Sequence, residues 1–122
     1  MDLLKIGFIG FGNHAARLKN CLSETLDYFE IVSYHPTKRD AQITNDLNDI
    51  YACDFVFITS PNETHFWYIK QLIQKTNSKI FCEKPPCVSA PELDYLWRLN
   101  SEAKGRIFFN FNYRYSNLCQ LI

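Results

Sequence analysis

Apolar and polar positions change period several times along the chain, and the changes divide it into alternating strand and helix segments. Lys5-Ile6-Gly7-Phe8-Ile9 is an apolar run that enters Gly10-Phe11-Gly12, after which Leu18, Leu22 and Leu26 recur at every fourth position. That pattern predicts a strand, a glycine turn and a helix. Glu30-Ile31-Val32-Ser33-Tyr34 predicts a second strand, which completes a β-α-β unit of about 30 residues. Ile43 and Thr44 predict a short edge strand, with Asn45 or Asp46 capping a brief helix through Leu47 and Ile50. Asp54-Phe55-Val56-Phe57-Ile58-Thr59 is apolar without alternation, as expected of a parallel strand covered on both faces, and Ser60-Pro61-Asn62 ends it.

The second half repeats the scheme. Phe66, Ile69, Leu72 and Ile73 mark a helix broken at Asn77-Ser78, and Lys79-Ile80-Phe81-Cys82 is the next strand. Ser89-Ala90-Pro91-Glu92 reads as a capping box with proline in the first turn, opening one helix through Leu93, Leu96, Trp97 and Leu99 to Gly105. Ile107 to Phe111 is the last strand, and Ser116 caps a further helix. Strands alternating with helices, without repeats or low-complexity linkers, predict one α/β domain over residues 1–122. Its expected fold is a Rossmann-type doubly wound parallel sheet of order 3-2-1-4-5-6 in three layers. In such sheets the ligand lies outside the carboxyl ends of the strands. The glycine turn, residues 34–39, 60–65 and 83–86, and residues 112–115 are therefore expected to meet on one edge.

Composition narrows the function classes. The 122 residues are 47% hydrophobic and 16% aromatic, enough for a real core. Thirteen basic and thirteen acidic residues give a formal net charge of zero, so bulk charge draws the chain neither to nucleic acid nor to an anionic membrane. Neither partner is expected. No signal peptide or membrane span is expected either, and the chain is placed in the cytoplasm. The five cysteines (Cys21, Cys53, Cys82, Cys87, Cys119) are odd in number and form no C-x-x-C, so reduced thiols are expected. The three histidines have no spacing that suggests a metal site.

The candidate chemistry begins at the glycine turn. Gly10, Gly12 and Ala15 fit G-x-G-x-x-A between strand and helix, the arrangement that puts backbone N–H groups at Gly12, Asn13 and His14 against a pyrophosphate. The competing reading is a corner that needs glycine for geometry alone. In an NAD site a carboxylate at the end of the second strand holds the ribose diol. Here Tyr34, His35, Pro36, Thr37, Lys38 and Arg39 stand there, and His35, Lys38 and Arg39 suit a 2′-phosphate. NADP is favoured over NAD on this ground, against the alternative of a solvated turn after Pro36.

Thr59-Ser60-Pro61-Asn62 followed by His65, then Cys82-Glu83-Lys84-Pro85, then Asn112-Tyr113-Arg114-Tyr115, occur in an order that resembles the N-terminal nucleotide-binding domain of the glucose-fructose oxidoreductase, inositol dehydrogenase and MocA (Gfo/Idh/MocA) family. The resemblance implies that Ser60, Pro61, Asn62 and His65 border the nicotinamide and its ribose. It implies that Glu83 and Lys84 belong to the family's Glu-Lys-Pro motif, with Lys84 as the catalytic group beside the reacting carbon, and that Arg114 leads out of the nucleotide domain. Read from the residues alone, Glu83 and Lys84 are equally an exposed pair at a strand end, and His65 a histidine that packs or caps a helix start.

The resemblance also implies an oxidoreductase that moves a hydride between nicotinamide and a sugar, polyol or nucleotide sugar. Family members carry a second α/β domain that supplies an acid/base histidine and covers the substrate. The chain is expected to be a fragment or a natural short form that binds cofactor without turnover, the full-length form being a homo-oligomer. Two other classes stay open. A nucleotide-sensing module would need no Lys84, and a methyltransferase would want an acidic residue after the second strand.

Overall fold

The computed structural model describes residues 3–10 and 13–110. Its elements follow in the order β1 (Leu4–Ile9), α1 (Asn13–Thr25), β2 (Phe29–Tyr34), β3 (Ile43–Thr44), α2 (Leu47–Tyr51), β4 (Phe55–Ile58), a 3-10 turn (Asn62–Thr64), α3 (His65–Lys75), β5 (Lys79–Glu83), α4 (Ala90–Trp97), α5 (Ser101–Gly105) and β6 (Ile107–Asn110). The strands form one sheet of order β3-β2-β1-β4-β5-β6 in which every neighbouring pair is parallel. This is the doubly wound Rossmann arrangement, with helices on both faces.

Strand pleating explains the two faces. Alternate residues of β4 point to opposite sides, so Phe55 and Phe57 pack with Ala15, Leu18 and Leu22 of α1, whereas Val56 and Ile58 pack with Ile50 of α2 and Ile69 and Leu72 of α3. On the α1 face the register aligns Phe8, Phe57, Phe81 and Phe108 across β1, β4, β5 and β6. Their rings stack with centroids 5.0, 4.8 and 5.1 Å apart. A cross-strand aromatic ladder of this kind adds to the area it buries, by about 0.5–1.5 kcal/mol per pair.

Three sequence expectations need correction. The single helix from Ser89 to Gly105 is two helices, because Asn100 is extended and its side chain accepts the Ala103 N–H, starting a new helix. Asn is a better cap than helix interior, and capping won here over the continuous apolar spacing. The expected capping box does open α4: Ser89 Oγ accepts the Glu92 N–H, and Glu92 reaches back to the Val88 N–H rather than that of Ser89. No residue of α4 is fully buried, and Trp97 is 76% exposed, so the helix is far less embedded than its apolar pattern suggests. Cys21 is disulfide-bonded while Cys53, Cys82 and Cys87 are free. The expectations for Gly12, Phe111, Arg114 and a helix at Ser116 lie outside the described residues. Among the described residues no helix is long and apolar enough to cross a membrane, and no cluster of three or more His, Cys, Asp or Glu is placed to hold a metal.

The sheet is tightest where β1 ends. Gly10 N donates to Tyr34 O at 3.1 Å, and Thr59 N donates to Ile9 O at 2.8 Å, so the chain leaves β1 wedged between the ends of β2 and β4. Gly10 has φ of +119°, and a Cβ built on it would lie 2.6 Å from Thr59 Oγ1, 2.8 Å from Thr59 C and 2.9 Å from Ser60 N. Two of those three atoms are backbone and cannot swing aside. Gly10→Ala is expected to destabilise the domain by about 2–4 kcal/mol, the sum of positive-φ strain and backbone overlap. Urea unfolding of the two proteins measures this, and a loss below about 0.5 kcal/mol, the scatter of an ordinary surface change, would contradict the close approach.

Candidate functional site

A cleft of about 450 Å³ opens beyond the carboxyl ends of β1, β2 and β4, lined among others by Ile9, Gly10, His35, Pro36, Ser60 and Tyr68. It sits at the switch point of the sheet. β1 is flanked by β2 and β4, and the chain leaves β1 into α1 on one face but leaves β4 into α3 on the other. The two crossovers diverge and leave a crevice between their first turns. Its walls combine prolines and a tyrosine with Ser60 and Thr64, a lining suited to a ligand with apolar rings and polar linkers. Tyr68 is nearly buried and meets the Tyr34 ring edge-on at 6.3 Å. Burial, together with Tyr34 beside it, pushes the Tyr68 phenol up to about 12, so at ordinary pH it presents a neutral O–H.

The turn that follows β2 carries no carboxylate before Asp40, and Asp40 Oδ1 accepts the Gln42 N–H of its own loop. His35 folds inward, its Nδ1 accepting the N–H groups of Thr37 at 3.1 Å and Lys38 at 2.8 Å. Lys38 and Arg39 are exposed on this turn, two and three residues after Pro36 of the cleft wall.

His65 connects the loops after β4 and β5. It is the first residue of α3 and fully buried; its Nδ1 lies 2.7 Å from Pro85 O and its Nε2 2.7 Å from Ser60 O. The ring is thereby set between two carbonyls from segments 25 residues apart, and in either neutral tautomer the nitrogen that carries the proton donates to one of them. Thr64 Oγ1 adds contacts of 2.7 Å to Ser60 Oγ and 2.6 Å to Pro61 O, which fix the exposed Pro61-Asn62 corner. Just before Pro85, β5 ends at half-buried Glu83 and is followed by exposed Lys84, and the Lys84–Pro85 peptide is cis. Just before them, burial pushes the Cys82 thiol well above its ordinary range, so it behaves as a packing group.

Of the expected site residues, Gly10, His35, Ser60 and Pro61 line one cleft, with Asn62 in the adjoining 3-10 turn. Asn13 and His14 open α1. Lys38 and Arg39 stand on the turn after β2, and Glu83 and Lys84 at the end of β5, joined to the cleft wall through His65. His65 itself lies behind the loops with no exposed surface, because the 3-10 turn before it directs the first residue of α3 inward. Gly12 and Arg114 lie outside the described residues. Tyr68 and Thr64 were not singled out from the sequence. The signal for Tyr68 was its place one helical turn before Leu72, on the face of α3 that meets the sheet.

These groups fit a dinucleotide. The cleft has the volume of a ligand site and stands at the switch point, and the turn after β2 that supplies its His35-Pro36 wall carries exposed Lys38 and Arg39 and no carboxylate before Asp40.

Comparison with known proteins agrees with this geometry. Residues 4–111 match the family profile described as "Oxidoreductase family, NAD-binding Rossmann fold". The scyllo-inositol 2-dehydrogenase (NADP(+)) of Bacillus subtilis is 24% identical over 96% of this chain, which spans 36% of that protein. A scyllo-inositol dehydrogenase from Lactobacillus casei superposes on 92% of the chain and 37% of its own, with a TM-score of 0.72 at 17% identity. An oxidoreductase from Bacillus cereus superposes on 87% of the chain and 34% of its own, with a TM-score of 0.69 at 22% identity. The chain thus spans a little over a third of the length of these relatives, and what it shares with the solved structures is the fold. A profile matched from β1 to the last strand, over a sheet wound in the order such a profile requires, makes this chain the NAD-binding Rossmann domain of a Gfo/Idh/MocA oxidoreductase.

Proposed function

We propose that residues 1–122 are the NADP(H)-binding domain of an enzyme that oxidises a secondary alcohol of a polyol or sugar, with Lys84 as the group that acts on the substrate oxygen. The observation that carries this reading is the His65 tie, which brings Ser60-Pro61-Asn62 and Glu83-Lys84-Pro85 to one point on the carboxyl edge, next to the cleft.

In this reading the backbone N–H groups at the start of α1, including Asn13 and His14, hold the pyrophosphate, and Gly10 gives it room. Lys38, Arg39 and His35 take the 2′-phosphate. Ser60, Pro61 and Asn62 border the nicotinamide ribose, with Glu83 beside Lys84 and with Gly12 and Arg114 completing the set. The nicotinamide, when bound, is the hydride acceptor. The chain's part is to orient the alcohol, whose hydroxyl proton passes to the acid/base group of the second domain that the family resemblance implies. Lys84 is exposed at the end of β5, and its ammonium donates a hydrogen bond to the oxygen on which charge develops. The polyol class is supported by two relatives named for scyllo-inositol.

Calorimetric titration tests the cofactor half. NADP+ is expected to bind at least about fivefold more tightly than NAD+, as one charge-assisted contact of about 1 kcal/mol provides, and Lys38→Ala with Arg39→Ala should erase the difference. Equal binding of both cofactors by the wild type would overturn the NADP preference. The substrate half is tested by NADP+-linked oxidation of scyllo-inositol and related polyols by the protein at its natural full length. Lys84→Ala should lower kcat by about 100-fold or more while the Kd for NADP+ stays within threefold. An unchanged kcat would remove Lys84 from the reaction.

A further inference from the structure

The turn between β2 and β3 is shaped by two side chains, and only one of them belongs to the site described above. From inside the turn, His35 Nδ1 accepts the N–H groups of Thr37 and Lys38. From outside, Asn45 Nδ2 donates to His35 O at 2.7 Å and to Lys38 O at 3.0 Å. Four hydrogen bonds thus close a segment of four residues. Asn45 is itself held in place: the preceding Thr44 pairs with Tyr34 in the sheet and accepts the His35 N–H through its carbonyl, while its Oγ1 accepts the Asp46 N–H. Asp46 Oδ1 in turn caps α2 through Asn48 N. The carboxamide that clips the turn is therefore anchored to both the sheet and a helix.

Two chemical consequences follow. The Thr37 and Lys38 amides are consumed within the turn, so a phosphate placed there must be met by side chains rather than by a backbone nest. A ring nitrogen that accepts two N–H groups carries no proton, so neutral His35 has its proton on Nε2. His35 lines the cleft, and the turn thus fixes it as a hydrogen-bond donor at the cleft wall.

We propose that Asn45 and His35 form a clip that determines preference for a 2′-phosphate. Asn45 is a positioning residue that holds Lys38 and Arg39 in place before the ligand arrives, and His35, held as the Nε2–H tautomer, donates to a phosphate oxygen. The proposal rests on the NADP reading given above. Preorganisation is what makes it selective: a turn already closed loses little freedom when the phosphate docks, and NAD+ makes no use of it. Asn45 carries none of the features by which a sequence points to a ligand group, and it is visible here only through its two carbonyl partners.

The test is a comparison of Kd for NADP+ and NAD+ in the wild type, Asn45→Ala, His35→Ala and His35→Asn, with the tautomer of His35 read from its ring 15N shifts. Asn45→Ala is expected to weaken NADP+ at least fivefold while NAD+ stays within twofold. His35→Ala, which also removes a group from the cleft wall, should weaken NADP+ by a larger factor than NAD+. His35→Asn should fall between, since its side-chain oxygen can accept an N–H two residues on but offers no ring N–H to the phosphate. The ring shifts should show Nε2–H in the wild type. A wild-type preference for NADP+ that survives both alanine variants, an equal loss of both cofactors, or an Nδ1–H tautomer would each overturn the clip and leave the cofactor reading standing. A wild type with no preference would overturn both.

Discussion

Much of this domain depends on one close approach, that of the end of β1 to the start of the loop after β4. Gly10 sits with positive φ where any side chain would press on Thr59 and Ser60 backbone. That contact lets β1 lie between β2 and β4 with their ends level. Level ends are the condition for a crevice at the switch point, since the crossovers into α1 and α3 then begin at the same height on opposite faces. A larger residue at position 10 would have to push β4 away, and the cleft wall at Ser60 and Pro61 would move with it.

From that point the structure divides labour between its faces. The aromatic ladder through Phe8, Phe57, Phe81 and Phe108 and the aliphatic cluster around Val56, Ile58, Ile69 and Ile80 make the sheet a rigid plate. Side chains at the strand ends inherit that rigidity. His65 transmits it sideways, because its buried ring is packed between the Ser60 and Pro85 carbonyls of two loops and donates to one of them. Asn45 does the same for the turn after β2. Groups expected to bind are thus supported by buried or peripheral polar groups that do not bind.

This division explains what could be read from the sequence. The elements and their order were legible because period, capping residues and glycine or proline punctuation all agreed, as in Asp54 to Thr59 followed by Ser60-Pro61. The split between α4 and α5 was not, since Leu96, Leu99 and Ala103 keep a helical spacing on both sides of Asn100, an Asn that prefers to cap. The residues at strand ends were legible as a set because the sheet order places them on one edge. His65 was legible as a histidine at a helix start but not as a link between two loops, because that depends on which carbonyls the fold brings within 2.7 Å of the ring. Asn45 was legible as a candidate helix cap, the place that Asp46 takes, but not as a clip on His35 O and Lys38 O; Tyr68 was marked by its helical spacing as a core residue, not as a wall of the cleft.

The central claim is that a dinucleotide lies across the carboxyl edge at the β1–β4 switch point. Amide chemical-shift mapping of the 15N-labelled protein on titration with NADP+ tests it most directly. The account predicts the largest shifts at Gly10, His35, Ser60, Asn62 and Lys84, with Asp54, Asn77 and Lys79 at the opposite edge of the sheet unaffected. Shifts centred on that opposite edge, or on the apolar groove of Leu93, Trp97 and Phe109 between α4 and β6, would contradict it.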